Sequence, residues 1–243
     1  KVVSSAYPQI FFVIFFLNFA GLSIFGIVAA PVIAVNGKAT VDFGSYPANE
    51  NRDTTFELTN RGDKPLRIGK IRNTCGCTEN KLQKESLEPG AVSLLKATIK
   101  ANSLSGPYSK EIYVESDDPQ QRFLPLTLVG NAVPLIKVLP ADNLYFGTLT
   151  IGKTYRYSFD LETTQNNVQA EIHSVNATFQ MQAELNRKAE TEKGFVLSLT
   201  VTPDASAGSQ GNMISAVIKI KIVEPTGWLP IIISLRGRLA EVD

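Results

Sequence analysis

Ile218-Lys219-Ile220-Lys221-Ile222 places three branched apolar side chains on one face of an extended chain and two ammonium groups on the other. Period-two alternation of this kind marks a half-buried strand. The pattern recurs back along the chain. In Thr55-Phe56-Glu57-Leu58-Thr59, Phe56 and Leu58 share a face; Ile112 pairs with Val114, and Leu124 with Leu126 and Leu128. Turn residues punctuate these runs. No window of similar strength has helical spacing, apart from the apolar N-terminal segment. The expected fold class is therefore all-β after one N-terminal helix.

The strands come in two similar sets. Asp42-Phe43-Gly44 returns as Tyr145-Phe146-Gly147, and Thr55-Phe56-Glu57-Leu58 as Ser158-Phe159-Asp160-Leu161 at the same offset. With one residue inserted, Ile68 matches Ile172, Gly90 matches Gly194 and Leu95 matches Leu199. Phe123-Leu124-Pro125-Leu126 is answered by Trp228-Leu229-Pro230-Ile231, and Gly130 by Gly237. A period of about a hundred residues is too long for a solenoid and suits tandem β-sandwiches of about seven strands each. The division predicted is an N-terminal anchor over 1–37, a first immunoglobulin-like sandwich over 38–133 and a second over 134–243. Pro125 and Pro230 lack the ladder donor, so each should mark an edge or the opening of a last strand.

The first half carries a more specific pattern. Asp42-Phe43-Gly44 is followed by Phe56-Glu57-Leu58-Thr59-Asn60-Arg61-Gly62, by Pro65-Leu66-Arg67-Ile68, by Cys75-Gly76-Cys77-Thr78 and by Pro89-Gly90. This resembles the bacterial immunoglobulin-like family called domain of unknown function fifteen seventy-three, similar in outline to major-sperm-protein and ASH-type sandwiches. The resemblance covers about residues 39–133 and implies a sandwich fold and an exported bacterial protein. It implies no activity. The second half keeps the framework, with Phe179 and Met181 where Cys75 and Cys77 would align, so any cysteine chemistry belongs to the first half.

Six of the thirteen Phe lie between Phe11 and Phe25, and no charged side chain occurs between Lys1 and Lys38. As a helix, residues 10–30 would span ~30 Å, enough to cross a bilayer. A cleaved signal ending near Val32-Ile33-Ala34 is the competing reading; the length of the run favours a retained anchor. Asn18 is costly in lipid and would be relieved by a partner helix, and Gly26 and Ala30, four apart, would permit close helix approach. The expected location is a bacterial cell membrane, single-pass, with the bulk of the chain in the periplasm or extracytoplasmic space.

Cys75 and Cys77 are the only cysteines. At i and i+2 of an extended chain both point to one face. A bridge between them needs a local bend, which Gly76 permits. So short a ring gains little loop entropy and would be a reducible element more than a staple. Two thiolates on one face also suit a soft ion such as Cu(I). Structural zinc usually takes four ligands, and the sole histidine, His173, lies in the other half. Cys75 and Cys77 thus stand as candidates for redox exchange, an inert bridge or metal binding, and no other metal site is indicated.

His173 reads as a solvated strand residue, and any Ser-His-Asp or Cys-His site would have to use it. Arg61-Gly62-Asp63 and Asp117-Asp118-Pro119 read as turns. With 24 basic and 23 acidic residues the net charge is +1, and no basic block offers a nucleic-acid footprint. No phosphate-cradling loop and no small-molecule site are indicated, so neither an enzyme nor a cofactor is expected. The expectation is a non-catalytic accessory or structural subunit, held to the lipid bilayer through residues 10–30 and binding the subunits of a membrane protein complex. The alternative is a periplasmic thiol-redox or copper-handling protein using Cys75 and Cys77.

Overall fold

The computed structural model describes residues 29–189, 193–204 and 212–240. Every regular element among them is a strand. The first sheet runs in the order β1 (Ile33–Asn36), β3 (Arg52–Asn60), β7 (Val92–Ile99), β5 (Thr78–Leu82). The second runs β2 (Thr40–Pro47), β9 (Phe123–Val133), β8 (Gly106–Ser116), β4 (Leu66–Asn73), β6 (Ser86–Leu87). The same plan follows in the second half. One sheet is β10 (Ile136–Leu139), β12 (Tyr155–Thr163), β15 (Phe195–Thr202), β14 (Gln180–Arg187). The other is β11 (Asn143–Leu149), β17 (Ile231–Leu239), β16 (Met213–Glu224), β13 (Gln169–Ala177). Apart from the short β6, the strands correspond one to one, so the sequence repeat is a repeat of topology.

Each sheet pair closes over its own core. In the first, Phe56, Leu58, Leu95 and Ile99 of one sheet meet Leu66, Ile68, Ile112, Val114, Leu126 and Leu128 of the other. In the second, Phe159, Leu161, Leu197 and Val201 meet Ile214, Ile218, Ile220, Ile233 and Leu235. The alternation in 218–222 is realised: Ile218 and Ile220 are fully buried while Lys221 is exposed. Each such side chain contributes about 1.5–3 kcal/mol.

The two Phe-Gly elements have one cause. Strands β2 and β11 pair in parallel with β9 and β17, and each slips register at the motif, between Asp42 and Ser45 and between Tyr145 and Thr148. Gly44 (φ 62°) and Gly147 (φ 84°) supply the left-handed residue of the bulge. Across the ladder, a Cβ on Gly130 would lie 3.2 Å from the Gly44 carbonyl oxygen, and one on Gly237 would lie 3.1 Å from that of Gly147. The repeated glycines are a bulge and the close approach facing it. Pro230 directly precedes β17, and Pro125 lies where β9 pairs β8 but has not yet met β2.

The N-terminal boundary differs from expectation. Residues 33–36 form strand β1, hydrogen-bonded to β3 in the register Ile33↔Asn60 to Asn36↔Glu57, and Ile33 is buried. They belong to the sheet and not to an anchor ending at residue 37. Ala30, expected on a helix face, is in no helix; its carbonyl accepts the Asp63 N–H at 3.2 Å. Asn18 and Gly26, with the rest of the expected helix up to residue 28, lie outside the described residues. No helix among the described residues is long and apolar enough to cross a membrane.

Four further groups hold the entering chain. Arg61 N–H donates to the Val32 carbonyl at 2.8 Å, and Val32 N–H to Asn60 Oδ1 at 3.3 Å. Asp118 Oδ2 accepts the Ile33 N–H at 2.9 Å, while its Oδ1 accepts the N–H groups of Gln120 and Gln121. Arg61 Nη2 reaches Asn36 Oδ1 at 3.4 Å. Arg61-Gly62-Asp63 is thus a turn that docks the entering chain. Asp117-Asp118-Pro119 is a turn whose second carboxylate is buried.

At the opposite end of the first sandwich, Tyr46, Ala48 and Ala132 form a small buried cluster on which Trp228 packs from the β16–β17 loop. Asn102 Nδ2 donates to the Gly227 carbonyl at 3.4 Å beside it. Trp228 also packs on the second core, so the sole tryptophan bridges the two halves. Tyr46→Ala should shift its emission to the red while the second core's melting transition stays in place. Unshifted emission would mean that its own half alone covers the indole.

Candidate functional site

Two places in the described residues present chemistry to solvent. The first is the turn Thr74-Cys75-Gly76-Cys77 joining β4 of one sheet to β5 of the other. Cys75 and Cys77 are joined in a disulfide with Cα atoms 5.3 Å apart, within the range such a bond requires. Two anchors fix the turn. Thr74 N–H donates to the Glu111 carbonyl at 3.1 Å on β8, and Lys100 N–H donates to the Cys77 carbonyl at 3.0 Å after β7. Asn73 Nδ2 also caps the Thr78 carbonyl at 2.8 Å.

The two sulfurs differ in setting. Cys75 is half-buried and Cys77 is buried. The Cys77 N–H donates to Cys75 Sγ at 3.3 Å. Thr78 Oγ1 lies 3.9 Å from the Cys75 sulfur and 3.8 Å from that of Cys77. Gly76 between them is exposed, with nothing within 4 Å of the position a Cβ would take. Closing so small a loop contributes about 1.6 kcal/mol of unfolded-state entropy. In the bonded state neither sulfur is a thiolate ligand, and no group of three metal-binding side chains occurs among the described residues.

The second place is the outer face of the sheet β11–β17–β16–β13. Register sets Arg236 between Tyr145 and Ser215, Met213 beside Arg238, Val217 beside Ser234, and Lys219 beside Ile232. Tyr145, Met213 and Ile232 are more than half exposed, at 57%, 53% and 54%. Lys221 faces Glu171 at 3.8 Å. Lys219, Arg236 and Arg238 have no carboxylate partner among the described residues. The sequence reading missed this face. Its signal is apolar Met213 and Val217 in the polar phase of a strand whose other phase is Ile214, Ala216 and Ile218.

Other candidates resolve into structure. His173 is exposed at a bulge of β13, between the paired Ile172 and Ser174. A shallow cleft of about 450 Å³ is lined by Arg67, Glu115, Asp118 and Arg122 among others. Its carboxylates are engaged: those of Asp118 by backbone, that of Glu115 by Arg122 at 2.9 Å and Arg72 at 3.3 Å. Arg122 first, and then Arg72, hold the Glu115 carboxyl below the usual range. Both guanidiniums also lie over the Phe123 ring.

The sandwich with this cysteine turn corresponds to a known domain class. Residues 35–132, within the first sandwich, match the family described as "Protein of unknown function (DUF1573)". No curated protein matches the chain. Similar solved structures include a protein of unknown function from Porphyromonas gingivalis W83, 15% identical, covering 85% of this chain and 99% of that one at a TM-score of 0.36. The zebrafish RET cadherin-like domains 1 to 4 are 10% identical, over 87% of this chain and 52% of that one, at 0.34. The secreted serine protease VesC from Vibrio cholerae is 10% identical, over 80% and 51%, at 0.33.

Proposed function

We propose that the chain is a membrane-anchored, extracytoplasmic protein whose two immunoglobulin-like sandwiches bind and brace a partner protein of a membrane assembly. The observation that carries this reading is the outer face of β11–β17–β16–β13. Interface cores favour Tyr, Met and Arg over Lys and Glu, and this face sets Tyr145, Met213, Arg236 and Arg238 together. Three cations without carboxylate partners among the described residues call for an acidic surface, and the apolar side chains between them call for a protein more than for loose counterions. The anchor rests on the uncharged run over residues 10–28.

The test is a photo-crosslinker placed at Val217 in native membranes, with a control at Ser198 on the opposite sheet. One protein adduct is expected at Val217, abolished by Arg236→Glu with Arg238→Glu and absent from Ser198. Lipid adducts, or equal labelling at both positions, would contradict the reading.

A further inference from the structure

The cysteine turn supports a second role that the docking face does not require. We propose that the Cys75–Cys77 bridge is an oxidant for dithiols of partner proteins, with Cys75 the attacked sulfur and Cys77 the buried leaving sulfur. Four observations lead there. Approach is open, because Gly76 is exposed and leaves free space on its side of the turn. Exposure is unequal: Cys77 is buried, and Cys75 is less so. Donors face the sulfurs, with the Cys77 N–H at 3.3 Å from Cys75 Sγ and the Thr78 hydroxyl within reach of both. A thiolate accepts such bonds more strongly than a disulfide sulfur does, so they favour the reduced form and make the bridge more oxidising. Finally, the ring closes across one intervening residue, and loop entropy stabilises the bond little.

The exchange balances with a protein dithiol as co-reactant. A partner thiolate attacks Cys75 Sγ, the bond to Cys77 breaks, and its electron pair leaves on Cys77 Sγ. The Thr78 hydroxyl, 3.8 Å away, stabilises that charge until water supplies a proton. The partner's second thiolate then attacks the partner sulfur of the mixed disulfide. This closes the partner's own disulfide and expels Cys75 as a thiolate that accepts the Cys77 N–H. Two electrons pass to the bridge, and two protons pass through water from the partner thiols to Cys75 and Cys77. The anchors at Thr74 and Cys77 keep the turn in place throughout.

The full oxidised chain, mixed with a synthetic dithiol peptide and quenched with a mass-tagged maleimide, tests this. The chain should gain two alkylatable thiols at a rate at least roughly tenfold above that of oxidised glutathione under the same conditions. Thr78→Val, which keeps the shape and the bridge, should slow the reaction. Cys77→Ser should trap a mixed disulfide with an activated peptide disulfide at least roughly tenfold faster than Cys75→Ser. A rate no greater than that of glutathione, or equal trapping by the two serine variants, would overturn the proposal. Neither result bears on the docking face, whose test lies in the second sandwich.

Discussion

Asn60→Ala should lower the stability of the first sandwich by about 4 kcal/mol, enough to move its melting transition by more than ~15 °C. Asn60 is wholly buried at the end of β3. Its Nδ2 donates to the carbonyls of Lys64 at 2.7 Å and Leu87 at 2.9 Å, and its Oδ1 accepts the N–H groups of Gly62 at 3.0 Å and Val32 at 3.3 Å. One side chain therefore serves four backbone groups from three separate segments. Alanine removes every partner at once, and each buried group left unsatisfied costs about 1–3 kcal/mol. Calorimetry of the full chain measures this, with the second sandwich's transition as internal reference. A drop within about 1 kcal/mol would mean that water replaces the amide, and the hub assignment would fail.

Gly62→Ala should release the entering strand. An added Cβ would lie 2.1 Å from the Ala30 carbonyl oxygen and 2.6 Å from the Val32 nitrogen, both backbone atoms with no rotamer to adjust. Either the 61–63 turn or the segment 30–33 must move, and the bonds from Arg61 to Val32 and from Asp63 to Ala30 are lost with it. The cost should be about 2–3 kcal/mol. Its signature is local: amide exchange should accelerate over residues 32–36, with the central strands β3 and β7 still protected. Unchanged exchange over residues 32–36 would show that Asp118, Asn60 and the ladder to β3 hold the strand without the 61–63 turn.

Much of the architecture is legible in the chain because period-two alternation needs no partner to be seen. Phe56 and Leu58, or Ile218 and Ile220, declare their buried face locally. The repeat was legible too, and its glycines acquire their cause once Gly44 is seen facing Gly130. What stayed hidden depends on distant pairing. Strand β1 reads as the tail of an apolar run, since Val32-Ile33-Ala34-Val35 continues the hydrophobicity of residues 10–30; only the ladder to Asn60 separates it. Asp118 looks like any turn carboxylate until Ile33, 85 residues away, donates to it. Asn60 likewise sits in a turn-forming Asn-Arg-Gly, and its burial comes from segments 27 and 28 residues distant. The apolar and basic outer face emerges only when β11, β17 and β16 are set in register. The cysteine pair was visible from spacing alone, but the inequality of its two sulfurs required the packing around the turn.

The most direct test of partner binding is mild-detergent extraction of native membranes followed by size separation and mass determination. The wild-type chain is compared with the Arg236→Glu, Arg238→Glu double variant. The account predicts that the wild type migrates in stoichiometric complex with a membrane protein and that the variant, folded by its melting curve, migrates alone. If both migrate alone, or both remain in the same complex, the outer face of the second sandwich is not where this protein acts.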